Sequence, residues 1–240
     1  MSIETRLVDY RDGEDVFEGL LAFDSASNSP RPGVLVAHTI RGRTEFENCK
    51  ARLLVELGYN AFALDVYGKD KIGSDLDDCR GMMDALKGDR PLLQRRLRSS
   101  LQAMREQPEV DTAQLAAIGY CFGGLCVLDI ARIGEDVAGV ISFHGLFEAP
   151  GNTTGNQIKA KILALHGWED PLAPPETVVA LASELSSQGA DWQLHGYGNV
   201  RHAFTNPAAD PSNGVTVYNA GADRRSWKAM QNFLSELFGT

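Results

Sequence analysis

Cys121 stands in the segment Gly119-Tyr120-Cys121-Phe122-Gly123, which follows an apolar run over 115–118 and opens a helical stretch over 122–133. Strand, then G-x-C-x-G, then helix is the pattern of a nucleophile elbow with cysteine where serine is usual. A nucleophile on so sharp a turn sits in strained backbone. Gly119 and Gly123 leave no side chains where neighbouring backbone must pass closely. The helix that begins beneath Cys121 offers unpaired N–H groups and the positive end of its dipole, which favour a thiolate and a developing oxyanion. A lone free cysteine is usually inert core. The two placed glycines and the strand-turn-helix context turn this one into a candidate nucleophile.

A cysteine nucleophile needs a base, and the base needs an orienting carboxylate. For an elbow of this type the chain order is nucleophile, acid, histidine, with the last two on loops after later strands. His-Gly-Trp-Glu-Asp-Pro (166–171) places Asp170 just past an apolar strand, and His-Ala-Phe (202–204) places His202 after the next one. The separations of 49 and 32 residues leave room for two strand–helix steps and for one. Glu169 rivals Asp170 as the acid; Pro171 fixes the turn and favours Asp170. Of the other histidines, His38 follows a strand but precedes the nucleophile in the chain. His144 ends a strand run and reads as pocket wall, His166 as a loop brace, and His195 as a satisfied strand residue. No H-x-H or H-E-x-x-H ligand cluster occurs, so no metal site is expected.

The elements that must carry these residues follow from hydrophobic periodicity. Residues 1–24 alternate loosely around Asp12-Gly13 and predict two antiparallel edge strands. From Gly33 onward, short apolar runs over 34–37, 61–66, 115–118, 137–143, 162–165 and 192–197 alternate with helical stretches near 45–57, 75–87, 91–106, 122–133, 175–188 and 222–238. Such alternation describes a mostly parallel sheet covered by helices on both faces, in one α/β domain over 1–240. Residues 69–90 carry the weakest signals and read as an excursion over one edge. The long loops over 145–159 and 198–220 are candidates for functional loops.

Composition narrows the partners. With 32 acidic against 23 basic residues, the formal charge of −9 disfavours nucleic acid and anionic membranes. No apolar stretch reaches the 18 residues of a membrane span, and the first 17 residues lack a secretory signal pattern. Cys49, Cys79, Cys121 and Cys126 contain no C-x-x-C pair. Cys121 and Cys126, about 140° apart around a helix, would diverge. A reduced, cytoplasmic protein is expected, as a monomer or weak homodimer.

The chain resembles the dienelactone hydrolase (carboxymethylenebutenolidase-like) family of α/β-hydrolases from about residue 32 to its C-terminus. The carriers are Gly-Tyr-Cys-Phe-Gly-Gly (119–124), His-Gly-Trp-Glu-Asp-Pro (166–171), His-Ala-Phe (202–204) and Gly58-Tyr59 with Asp65-Val-Tyr67-Gly. The resemblance implies a sheet of about eight strands and a Cys-His-Asp triad that hydrolyses an enol lactone or ester without metal or organic cofactor. Residue by residue it makes Cys121 the nucleophile, Asp170 the acid and His202 the base, with backbone N–H groups of Phe122 and Ile40 as oxyanion donors. Where the family carries a gating glutamate before the first-loop glycine, this chain has Thr39; Glu45 is the nearest acidic residue to reach back. Arg41, Arg43 and Arg80 are candidates for a substrate carboxylate. Trp168, His144 and Phe204 are candidates for an aromatic wall against an aryl leaving group. Activated aryl esters are expected substrates, and phosphotriesters are expected by chemistry rather than by motif. A non-catalytic binding protein and a thiol redox protein are the rival readings.

Overall fold

The computed structural model describes residues 1–239. The elements are β1 (Ile3–Asp12), β2 (Asp15–Asp24), β3 (Arg31–Ala37), α1 (Glu45–Glu56), β4 (Asn60–Ala63), α2 (Leu76–Gly88), α3 (Arg90–Arg105), β5 (Val110–Tyr120), α4 (Phe122–Arg132), β6 (Gly139–Phe143), β7 (Lys161–Gly167), α5 (Pro175–Ser187), β8 (Trp192–Tyr197) and α6 (Ala220–Phe238). The eight strands run in the order β1-β2-β4-β3-β5-β6-β7-β8. The expected α/β architecture with antiparallel N-terminal strands is present. The chain forms two compact units, Met1–Ala117 and the remainder from Ile118.

In the first unit β1 and β2 make the antiparallel hairpin, closed at Asp12↔Asp15, and β2 continues antiparallel onto β4. β3 and β4 pair in parallel. The run expected over 61–66 stays extended only to Ala63. Beyond it the Asp65 carboxylate accepts the Tyr67 and Gly68 N–H groups, and the Val66 N–H donates to His38 Nε2 at 3.2 Å. Those side-chain acceptors replace ladder partners and turn the chain. The excursion over 69–90 contains α2 and is pinned at its start, where the Lys69 N–H donates to the Val16 carbonyl and the Gly73 N–H to that of Arg41. α1 begins at a capping box: Thr44 caps the helix and Glu47 returns to the Thr44 N–H.

In the second unit β6, β7 and β8 pair in parallel. α4 packs on β6, and α6 on β6 and β7. Every residue of α4 is buried, which explains why its sequence is apolar on all sides. The exceptions in kind are Asp129 and Arg132. Arg132, 1% exposed, donates through Nε and Nη2 to the two oxygens of Glu184 on α5 (2.9 and 2.7 Å). It also donates to the Phe147 and Glu148 carbonyls and lies 3.4 Å from Asp129. One guanidinium therefore joins the elbow helix, α5 and the start of the loop after β6. Leaving such a charge buried without its main partner costs several kcal/mol. Glu184→Ala is expected to destabilise the protein by about 3 kcal/mol in urea unfolding. A loss below about 1 kcal/mol would show that Arg132 does not depend on the pair.

Candidate active site

Cys121 lies between the end of β5 and the first residue of α4, at φ 57° and ψ −115°. A non-glycine residue there stores strain of about 1–3 kcal/mol. The turn is held because the Cys121 N–H donates to the Phe143 carbonyl on β6 (3.0 Å) and the Cys121 carbonyl accepts from Gly124 (2.9 Å). Gly119 is required by proximity: a Cβ there would lie 2.0 Å from the Gly123 carbonyl oxygen. The strand and the first turn of the helix touch backbone to backbone, which brings Cys121 to the apex. The residue stays 8% exposed.

Asp170 and His202 come from two loops that cross. The Trp168 N–H donates to the Tyr197 carbonyl and the Glu169 N–H to that of Val200, both at 2.9 Å. At the crossing a Cβ on Gly167 would lie 2.6 Å from the Val200 carbonyl oxygen and 2.8 Å from that of Arg201, so only glycine fits. Across this crossing His202 Nδ1–H donates to Asp170 Oδ2 at 2.7 Å, and Asp170 Oδ1 accepts the Leu172 N–H at 2.8 Å. Both side chains are buried. The His202 carbonyl accepts the Val217 N–H, which fastens the far side of the loop.

With Nδ1 committed to Asp170, Nε2 is the atom of His202 left to face Cys121; it makes no other hydrogen bond. Burial alone would push the His202 imidazole down. The charge and hydrogen bonding of Cys121, together with the Asp170 carboxylate, overcome burial and hold it well above the ordinary histidine range. Protonated His202 is therefore favoured in the folded chain. The stabilisation this supplies is complete below about pH 6.5 and is lost as pH rises through the raised folded-state value.

The rival acid, Glu169, is exposed and lines an open cleft of about 480 Å³ with Pro171, Asn199, Arg201 and Gly214. Asp170, and not Glu169, is hydrogen-bonded to His202. His144 and Phe204, the candidates for a substrate-facing wall, are buried at 1% and 0% exposure. The His144 backbone at φ 37° follows β6, and its Nε2 hydrogen-bonds Thr205 Oγ1 (2.8 Å). Phe204 packs edge-on against His144 and Tyr197. Trp168 is 43% exposed, over the bare backbone of Gly196. His166 is fully buried and neither ring nitrogen finds a hydrogen-bond partner; burial pushes it below the usual histidine range, against the pull of Asp170.

In the first unit, the 38–42 loop is braced at several points. Glu47 Oε1 accepts the Thr39 N–H (3.0 Å), His38 Nδ1–H donates to the Thr39 carbonyl, and the Tyr67 hydroxyl donates to the Ile40 carbonyl (3.0 Å). The carboxylate that reaches back to Thr39 is thus Glu47; Glu45 pairs with Arg52 instead. The T-x-x-E capping box over 44–47 was the signal for it. Arg43 is spent on Glu18 and Asn48. Arg80 is exposed beside Asp77, and Arg41 is exposed. Among the described residues, no three His, Cys, Asp or Glu side chains are grouped to hold a metal ion.

A mostly parallel sheet, a strained cysteine at its strand-to-helix elbow and a buried histidine–aspartate pair on later loops define an α/β-hydrolase. The dienelactone hydrolase family model matches residues 17–238, and the chain belongs to that family, whose members hydrolyse ester bonds. A solved structure described as a dienelactone hydrolase-like promiscuous phosphotriesterase from metagenomic libraries is 38% identical, with 99% of each chain covered and a TM-score of 0.92. Another, m3DLH, is 36% identical over 99% of this chain and 100% of its own, with a TM-score of 0.93. An uncharacterized protein of Caenorhabditis elegans is 39% identical over 61% of this chain and 94% of its own length. No helix among the described residues is long and apolar enough to cross a membrane.

Two outcomes test the site. Gly167→Ala should force the crossing loops apart and lower ester turnover by about 100-fold, as misplacements of 1 Å do; unchanged turnover would show that the crossing tolerates a side chain. Cys121→Ala should move the His202 titration, followed by NMR, to lower pH. A value that stays put would show that Cys121 does not hold the imidazolium.

Proposed function

We propose that this hydrolase cleaves carboxylic esters or enol lactones through a covalent Cys121 intermediate, with His202 as base and Asp170 as its orienting acid. The observation that carries the reading is the His202–Asp170 hydrogen bond beside a strained Cys121 whose charge raises His202. Cys121 sulfur, as thiolate, attacks the acyl carbon, and the carbonyl electron pair moves onto oxygen. The backbone N–H of Phe122, the first residue of α4, receives that oxyanion. When the tetrahedral species collapses, the C–O bond to the leaving group breaks and His202 supplies the departing oxygen's proton. Water then loses a proton to His202 and attacks the thioester carbonyl; the acid leaves and the thiolate is restored.

We take Trp168, 43% exposed, as the aromatic contact for an aryl leaving group. A second activity, on phosphotriesters with good leaving groups, is favoured by the likeness to the promiscuous phosphotriesterase. The same thiolate would displace the leaving group at tetrahedral phosphorus, and water would release the phosphoryl group from sulfur. We place the activity in a single hydrolase domain, since the family match spans both compact units. The four cysteines, none in a disulfide among the described residues, suit a reducing compartment such as the cytoplasm. Small esters, rather than nucleic acid or membranes, are its proposed partners, and the protein acts as a monomer or weak dimer.

Hydrolysis of p-nitrophenyl acetate should be insensitive to chelator and abolished in Cys121→Ala, with the fold retained by circular dichroism. Substantial activity in the alanine variant would remove the nucleophile assignment. Asp170→Asn should lower turnover by about 10³–10⁴-fold, because the imidazole loses its orienting charge. Near-normal turnover would transfer the acid role to Glu169.

A further inference from the structure

Turning the His202 ring about Cβ–Cγ would swing Nδ1 away from Asp170 Oδ2, so the base stays aimed only while that rotamer is held, and a contact on the side of the ring holds it. The His144 ring supplies the contact: its centroid lies 5.2 Å from that of His202, with the planes at 65°. This is the edge-to-face geometry that aromatic rings favour. His144 is itself held from three directions. Its N–H donates to the Leu165 carbonyl on β7 (2.8 Å), its Nε2 bonds Thr205 Oγ1 (2.8 Å), and the Phe204 ring stands edge-on to it at 5.1 Å. Its backbone stays at φ 37°, a strained value that persists only where surroundings over-determine it.

Thr205, 1% exposed, is three residues beyond His202 on the same loop. The His144–Thr205 bond thus ties the end of β6 both to the face of the base and to the backbone that carries it. Phenylalanine could supply the packing but not this bond. We propose that His144, locked by Thr205, is a positioning residue that sets the ring plane of His202, so that Nε2 stays aimed at the reacting atoms through acylation and deacylation. The inference rests on the Cys121–His202–Asp170 reading above. His144 acts here through the His202 ring and not on the substrate.

Thr205→Val removes the hydroxyl at almost constant shape, and Thr205→Ser restores it. With p-nitrophenyl acetate, kcat of Thr205→Val should fall about ten-fold while KM changes by less than about two-fold, because the loss is in proton transfer rather than in binding. Thr205→Ser should recover most of kcat. The pH profile of Cys121 alkylation by iodoacetamide should move toward that of an ordinary thiol in Thr205→Val and return in Thr205→Ser. His144→Asn, which tolerates positive φ, should reproduce the loss, and His144→Asn combined with Thr205→Val should be no slower than His144→Asn alone, since the two act as one unit.

Wild-type kcat and alkylation profile in Thr205→Val, or the same loss in Thr205→Ser, would overturn the proposal. Failure of the triad reading looks different. Wild-type Cys121 would then alkylate like a free thiol, and Cys121→Ala would keep its esterase activity. A lowered melting temperature with normal kcat in the Thr205 variants would assign the bond to stability alone, and the positioning role would fall.

Discussion

The site depends on the crossing of two loops at Gly167. There the turn after β7 passes within van der Waals contact of the Val200 and Arg201 carbonyls, and a pair of backbone hydrogen bonds fastens the loops together. The short Asp170–His202 bond is a consequence of that contact. Carboxylate and imidazole are delivered by different strands, and neither loop alone holds its side chain against the other. Because the crossing is made by backbone, it resists the side-chain motions that would let a surface ion pair dissolve. Burial then makes the pair electrostatically effective, since little water competes for either partner.

Strain and charge meet at Cys121. The elbow keeps its sulfur at the apex of an unfavourable turn, and the surrounding backbone bonds compensate for that conformation. The raised His202 is the electrostatic counterpart: burial opposes the imidazolium, while Cys121 and Asp170 together outweigh burial. In the mechanism we propose, a histidine in that condition holds the Cys121 thiolate and keeps a proton for the leaving group. The cost of the arrangement is met elsewhere in the unit. Arg132 draws α4, α5 and the loop after β6 around one buried cation, and every residue of α4 is buried.

Much of this was legible without coordinates, for identifiable reasons. The elements from β3 to α6 announce themselves because buried parallel strands need continuous apolar runs and their covering helices need a 3.6-residue period. Where the reading slipped, a side chain had replaced a backbone partner. β4 stops at Ala63 because the Asp65 carboxylate and His38 take the N–H groups that follow. Spacing points to Glu45 as the residue to reach Thr39, yet Glu47 does so because the capping box turns it inward while Glu45 meets Arg52.

By itself the sequence determined the chemistry available: a cysteine between two glycines at a strand-to-helix turn, and an aspartate and a histidine each just past a later strand. Those are local facts, written in residue type, spacing and period. Tertiary structure alone decided which atoms meet. It set Asp170, and not Glu169, against His202, buried His144 and Phe204, and left Trp168 exposed. Thr205 carried no sequence signal, because its partner lies 61 residues away on another strand end. Contacts of that kind arise where loops from separate strands converge, and no periodicity along the chain encodes the approach.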